Sequence, residues 1–118
     1  MAAPKLLVPP LNRKAPIKDL ERLWLNCTCA YDQLDENLMA DTDWDMLTVE
    51  LREREAEWSP YFRHSVPRDC IISSTSSGID WGRPNSVQKI TLQALRADMP
   101  RRIEKLRRMC QASPAIPE

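Results

Sequence analysis

The chain has 118 residues and a mass of 13.7 kDa, with 17 basic and 17 acidic side chains. It therefore has the size of one domain and no net charge. It contains two glycines and one histidine, His64, which excludes a Gly-rich phosphate loop and a metal site that needs two histidines. The shortage of glycine also disfavours the tight hairpins of a β-rich fold.

Proline marks both ends of the chain. Four of the ten prolines lie in the first sixteen residues and two in the last five. We therefore expect residues 1–15 to form a Pro-rich extended tail and residues 113–118 a short C-terminal tail. No apolar run approaches the roughly 18 residues of a membrane-spanning helix, and none resembles the core of a signal peptide. We expect one helical domain over residues 16–112, in the cytoplasm and without membrane contact.

The first predicted helix follows Pro16. Apolar side chains recur there at alternating intervals of three and four residues, which predicts a helix over about residues 17–40. A covered stripe of this kind forms the core of a bundle, whereas an uncovered one is an association surface. The C-terminal helix, the Pro-rich tail or a second copy of the chain, as a homodimer, could each cover it. The stripe consists of Ile17, Leu20, Trp24, Cys27, Tyr31, Leu34 and Leu38.

The second predicted helix covers about residues 43–58. The run from Thr42 to Asp45 has the pattern of an N-terminal capping box, and Pro60 disfavours helical backbone at the residue before it. The short link to the first helix predicts a long antiparallel hairpin.

Residues 59–84 are rich in proline, serine and glycine and are predicted to be irregular. Cys70 to Ile72 form a candidate short strand within this segment, although no partner strand is evident. The aromatic side chains of Trp58, Tyr61 and Phe62 are predicted to close one end of the core.

The last predicted helix covers about residues 86–111. Asn85 and Gln88 have the spacing of a second capping box, which predicts the start of this helix. Pro100 is expected to kink it or to divide it in two. The predicted architecture is thus all-α: a small helical bundle with a kinked basic C-terminal helix.

Charge is strongly segregated along the chain. Residues 31–57 carry ten acidic and two basic side chains, whereas the residues from Arg83 onward carry eight basic and three acidic ones. The acidic face is either solvated or a protein-binding surface that engages a basic groove. Its candidate residues are Asp43, Asp45, Glu50, Glu53 and Glu57.

The basic helix either pairs with the acidic one or contacts an acidic partner or nucleic-acid phosphates. Its candidate residues are Arg101, Arg102, Lys105, Arg107 and Arg108.

Catalytic and metal chemistry has weak support in the sequence. A zinc site needs several thiolate or imidazole ligands, and the chain offers His64 with four cysteines scattered along it. Buried structural thiols are the favoured alternative. No family signature or nucleophile motif surrounds these residues, so we expect no enzyme activity, no metal and no cofactor. The cysteines are Cys27, Cys29, Cys70 and Cys110.

The favoured function at this point is a small non-enzymatic protein that binds another protein through its helical faces, as an adaptor, regulator or inhibitor. The alternative is a nucleic-acid-binding regulator that uses the basic C-terminal helix. An enzyme or metal protein centred on His64 and the cysteines is the third hypothesis.

Overall fold

The computed structural model describes residues 15–75 and 78–112, and side chains as far as Met109. These residues form helices and turns and contain no strand, which confirms the all-α prediction. The N-terminal tail predicted before Ala15 and the tail predicted after residue 112 lie outside the described residues. The helices are α1 (Ile17–Leu34), α2 (Asp41–Glu53), α3 (Pro60–Ser65), α4 (Arg68–Ile72), α5 (Ser86–Ala97) and α6 (Met99–Ala112), with a 3₁₀ turn at Glu55–Glu57.

Helix α1 is the central helix of the fold. It packs against α2, α5 and α6, so almost every side chain from Leu20 to Ala30 is buried. The apolar stripe is therefore mainly core of this same chain, and Tyr31 is its one strongly exposed member, at 58%. Since α1 is covered within the chain, its stripe does not supply a continuous apolar face for a second copy, and the homodimer stays a prediction.

Helix α1 ends six residues earlier than the apolar spacing predicts. Asp35 adopts a left-handed conformation (φ 55°, ψ 40°), and the amide of Glu36 donates to the carbonyl of Ala30 at 3.0 Å. This pattern closes a helix C-terminus, and aspartate tolerates the left-handed region better than most residues. Leu38 and Met39 then return to the core from a loop, which is why the spacing continues beyond the helix.

Helix α2 begins at Asp41 with Ala40 as its N-cap, and no side chain caps it. The predicted capping box at Thr42 is therefore wrong. The amide of Trp44 donates to the carbonyl of Ala40 at 2.9 Å, so helical hydrogen bonding starts two residues before the predicted cap. Thr42 lies exposed in the first turn, where its hydroxyl has no capping role.

Two tryptophan–threonine pairs join α1 to α2. Trp24 Nε1 donates to Thr48 Oγ1 at 2.9 Å, and Trp44 Nε1 donates to Thr28 Oγ1 at 3.0 Å. The order of these contacts is reversed between the helices, so α1 and α2 run in opposite directions. Both helices carry the same spacing, a tryptophan followed by a threonine four residues later, which places the two side chains on one face. The indole rings of the two tryptophans also lie 5.6 Å apart.

The segment predicted to be irregular contains two short helices. Pro60 occupies the first position of α3, where its missing N–H is not needed, and the hydroxyl of Ser59 accepts from the amide of Phe62. Cys70 to Ile72 belong to α4, so the candidate strand is wrong. The amide of Cys70 donates to the carbonyl of Pro67 at 2.9 Å, and this local bonding replaces the partner strand that the chain lacks there.

Of the predicted aromatic cluster, two members are in the core. Trp58 and Phe62 are buried with their rings edge to face, 5.2 Å apart. Tyr61 is 75% exposed, because it lies on the outer side of the short helix α3.

Asn85 caps α5 as predicted, with a complete capping box that includes Gln88. Asp98 (φ −160°, ψ 84°) separates α5 from α6, so the predicted kinked helix is two helices. Pro100 lies in the first turn of α6, where proline is tolerated, and Asp98 Oδ1 accepts from the amide of Arg101 at 3.2 Å.

Candidate functional sites: two clefts of opposite charge

An acidic cleft of about 390 Å³ lies between the C-terminal half of α1, the loop that follows it and the first turns of α2. Its lining mixes apolar and uncharged polar side chains, and its three charged side chains are all aspartates. The lining residues that bear on binding are Tyr31, Asp32, Leu38, Asp41, Trp44 and Asp45.

Internal hydrogen bonds hold two walls of the acidic cleft. Trp44 is anchored to α1 through its bond to Thr28. Asp32 Oδ2 accepts from Trp81 Nε1 at 3.1 Å, which ties α1 to the segment before α5. Tyr31 stands at the open rim with more than half of its surface exposed. The cleft is therefore a preformed depression with an aromatic side chain at its edge.

Only one of the five predicted acidic residues, Asp45, lines this cleft. Glu57 accepts from Arg54 Nε and Nη2, at 2.8 Å each, and this hydrogen bonding lowers the pKa of the Glu57 carboxyl. Glu50 and Glu53 take part in interactions of their own, and Asp43 is half-buried outside the cleft lining.

Sequence reasoning missed Asp32 and Asp41 as members of the cleft. Asp32 lies within the predicted first helix, one residue after Tyr31, and Asp41 lies in the link that was predicted to join the helices. A signal was available, since both belong to the acid-rich region of residues 31–57. The turn after Leu34 brings them to opposite sides of one depression. The apolar spacing continues past Leu34 and therefore does not predict that turn.

The predicted basic residues of α6 do not act as one surface. Arg102 faces α1, and its Nε donates to Asn26 Oδ1 at 2.8 Å. Arg108 lies 3.5 Å from Glu104, Arg107 is half-buried with an interaction of its own, and Arg101 and Lys105 are exposed.

Helix α2, which carries the predicted acidic residues, and helix α6, which carries the predicted basic ones, do not pack mainly on each other. Helix α6 packs chiefly on α5 and α1, whereas α2 packs on α1 and α4. The segregation of charge along the sequence therefore does not serve pairing between these two helices. It leaves charged side chains of each helix on different sides of α1.

A second, cationic cleft of about 330 Å³ is bordered by α1, α3, α5 and α6. Its charged lining residues are Lys18, Arg22 and Arg102 together with one carboxylate, Glu21. Both oxygens of Glu21 are engaged by Ser59: the amide donates at 2.7 Å and the hydroxyl at 2.8 Å.

Cys27, Cys29 and Cys70 are buried and form no disulfide with one another. Burial raises the pKa of Cys29 to about 12, with a smaller contribution from Asp32, and burial also raises the pKa of Cys70. These thiols are therefore poor nucleophiles at neutral pH. His64 is exposed, and within residues 15–75 and 78–109 no three histidine, cysteine or acidic side chains are grouped to hold a metal ion. The side chain of Cys110 lies outside the described residues.

Comparison of the chain with protein-family models, curated proteins and solved structures finds no match. No helix in the described part of the chain combines the length and the apolar character needed to cross a membrane. Within residues 15–75 and 78–109, the two clefts are candidate binding sites.

Proposed function

We propose that this protein acts without catalysis, by binding another protein as an adaptor, regulator or inhibitor. In this proposal the acidic cleft receives a basic segment of the partner. The carrying observation is the combination of accessible aromatic side chains, Tyr31 and Trp44, with charged lining residues that are all aspartates. A segment with one large apolar side chain between lysines or arginines satisfies both features, because the apolar group leaves water and the cations meet carboxylates.

The apolar and the charged lining residues are expected to contribute different amounts to the binding free energy. Full burial of one leucine or phenylalanine side chain contributes about 1.5–3 kcal/mol, whereas an exposed ion pair contributes about 0.2–1 kcal/mol. The accessible aromatic surfaces of Tyr31 and Trp44 therefore supply most of the affinity. The aspartates accelerate encounter and select basic partners over acidic ones.

A nucleic-acid role for α6 has less support. Arg101 and Lys105 are the members of the predicted set that are exposed without an ion-pair partner in the described part of the chain. The affinity of nonspecific nucleic-acid binding grows with the number of phosphates that are contacted, and two cations supply few contacts. Protein binding through the acidic cleft is therefore the stronger proposal.

The burial of the free thiols supports a place in the cytoplasm as part of the same proposal. Cys27, Cys29 and Cys70 form no disulfide with one another. Cysteines that form no disulfide are typical of proteins that work in a reducing compartment.

The test is a titration with a short fluorescent peptide that alternates leucine with pairs of lysines, followed by fluorescence anisotropy at low ionic strength. We expect Asp45→Asn and Asp41→Asn each to weaken binding about two- to five-fold, which corresponds to the loss of one exposed ion pair. Asp43→Asn is the matched control, because it removes the same charge from the same turn of α2 outside the cleft lining.

The proposal fails if the wild-type protein does not bind the lysine peptide, or if it binds a matched glutamate–leucine peptide equally well. Equal losses in Asp43→Asn and Asp45→Asn would also contradict it, since they would reflect the general field of the acidic region. Thermal unfolding followed by circular dichroism verifies that each variant is folded.

A further inference from the structure

Two arginines line the cationic cleft, and the one carboxylate of its lining, Glu21, is bonded to Ser59. The pKa of Arg102 is lowered, first by burial and then by the like charge of Arg22, which lines the same cleft. Neither forms an ion pair with an acidic side chain in residues 15–75 or 78–109. Placing like charges in a partly desolvated cleft is unfavourable in the free protein, and an anion bound between them would remove this repulsion.

Asn26 holds Arg102 in place. Its side-chain Nδ2 donates to the carbonyl of Arg22 at 2.8 Å, and its Oδ1 accepts from Arg102 Nε at 2.8 Å. Asn26 is 1% exposed, so the Asn26 end of this link is buried, whereas Arg102 is half-buried. One edge of the guanidinium is thereby fixed, and the terminal nitrogens form no hydrogen bond to described residues. Such an arrangement lowers the ordering cost of binding a ligand.

The cleft keeps a net positive charge. Its lining has three cations, Lys18, Arg22 and Arg102, against the single carboxylate of Glu21. Glu21 is buried, and both of its oxygens already accept hydrogen bonds from Ser59. A ligand with two negative charges would therefore bring this group of side chains to neutrality.

An aromatic surface lies beside these cations. Tyr61 lines the same cleft, yet most of its ring is exposed to solvent. The ring provides a flat face for the organic part of a ligand, and its position on α3 places that face on a different element from either arginine.

We propose that the cationic cleft binds a phosphate monoester, with its phosphate group on Arg22 and Arg102 and its organic part against Tyr61. The planar guanidinium matches two phosphate oxygens at once, and a monoester carries close to two negative charges at neutral pH. The same phosphate chemistry is offered by inorganic phosphate or by a small phosphorylated metabolite. The site is independent of the acidic cleft and uses different side chains.

The experiment is isothermal titration calorimetry of the full chain with inorganic phosphate and, separately, with phenyl phosphate at low chloride. We expect saturable binding of both anions, with phenyl phosphate the tighter because its ring contacts Tyr61. Arg22→Gln is expected to weaken binding of both about tenfold, in line with the loss of one charge-assisted contact. Arg101→Gln is the matched control, because it removes an exposed charge next to Arg102 and should change affinity less than twofold.

A second pair of variants separates the two ligand sources. Tyr61→Ala should reduce phenyl phosphate to the affinity of inorganic phosphate and leave inorganic phosphate unchanged. If the two anions bind equally to the wild type and Tyr61→Ala changes neither, free phosphate is the ligand and the assigned role of Tyr61 is overturned. Asn26→Asp should abolish binding of both anions, because the new carboxylate would itself pair with Arg102.

The proposal is overturned if the wild type binds neither anion saturably. It is also overturned if Arg22→Gln and Arg101→Gln weaken binding equally, since that result reflects a diffuse positive field. Arg22 is exposed and its side chain has no hydrogen bond to described residues, so Arg22→Gln should stay folded even if Asn26→Asp does not. Circular dichroism of each variant establishes which case applies.

Discussion

The acidic and cationic clefts both border α1 but are built in different ways. The acidic cleft takes its charges from residues 32–45, a short stretch that folds back on itself after Leu34. The cationic cleft combines Lys18 and Arg22 with Arg102, which is eighty residues further along the chain than Arg22. The acidic cleft therefore arises from a local concentration of acidic residues, whereas the cationic cleft arises from packing between distant parts of the chain. A chain with no net charge can present both.

The largest effect is expected at Trp24, which lies between the two clefts. Its ring is fully buried, 5.6 Å from Trp44 on the acidic side and 6.1 Å from Phe62 on the cationic side. Trp24→Ala should lower the free energy of unfolding by about 3–5 kcal/mol, because it leaves a large cavity and removes the indole N–H that donates to the hydroxyl of Thr48. Urea denaturation measures this loss. A loss below about 1 kcal/mol would contradict the central place of Trp24 in the core.

A substitution at Glu21 changes the cationic cleft without changing the lining of the acidic cleft. Glu21 is buried and holds the N-cap of α3 through Ser59. Glu21→Gln should lower the free energy of unfolding by about 1–3 kcal/mol, since one donor of Ser59 loses its charged acceptor. The lysine peptide should still bind this variant in the acidic cleft. Loss of peptide binding in a folded Glu21→Gln protein would contradict the independence of the two clefts.

The two threonines beneath the acidic cleft offer a matched pair. Thr48→Val leaves the Trp24 indole N–H buried without an acceptor, so we expect a loss of about 1–3 kcal/mol. Thr28→Val should cost about 0.5–1.5 kcal/mol, because Trp44 is only partly buried and water can replace the hydroxyl. Urea denaturation of both variants gives the ranking. A larger loss for Thr28→Val would mean that the acidic cleft excludes water from Trp44.

The smallest effect is expected from the surface ion pairs outside both clefts. Hydrogen bonds from Arg68 and Arg54 lower the pKa values of Glu55 and Glu57, respectively. A lowered folded-state pKa stabilises the protein above the unfolded-state pKa, and this contribution is lost as pH falls through the folded-state value. Wild type should therefore lose slightly more stability than Glu55→Gln/Glu57→Gln between pH 7 and pH 3. Urea midpoints at the two pH values measure this difference, and identical declines would contradict it.

The sequence predicts features that depend on neighbouring residues. The helical class follows from apolar spacing and scarce glycine, and the start of α5 follows from the pair Asn85 and Gln88. The break between α5 and α6 lies two residues before Pro100, close to the expected position. The acid-rich region that supplies the acidic cleft was also visible as a run of charge.

Features that depend on distant contacts could not be predicted in this way. The spacing after Leu34 stays helical although Asp35 turns left-handed, because a loop leucine can fill the same core position as a helical one. The contacts of Glu21 with Ser59 and of Asn26 with Arg102 join residues 38 and 76 positions apart. The repeated tryptophan–threonine spacing on α1 and α2 was readable, but its meaning depends on the helices lying face to face.

The buried position of Asn26 affects how the protein can be produced. Asn26, Cys27 and Thr28 together match the acceptor sequence for N-linked glycosylation. In the folded chain the Asn26 amide is enclosed and bonded to both Arg22 and Arg102, so a glycan has no room there. Expression through a secretory pathway risks attaching a sugar before the chain folds, which would keep α6 from docking on α1. Bacterial cytosolic expression avoids that modification.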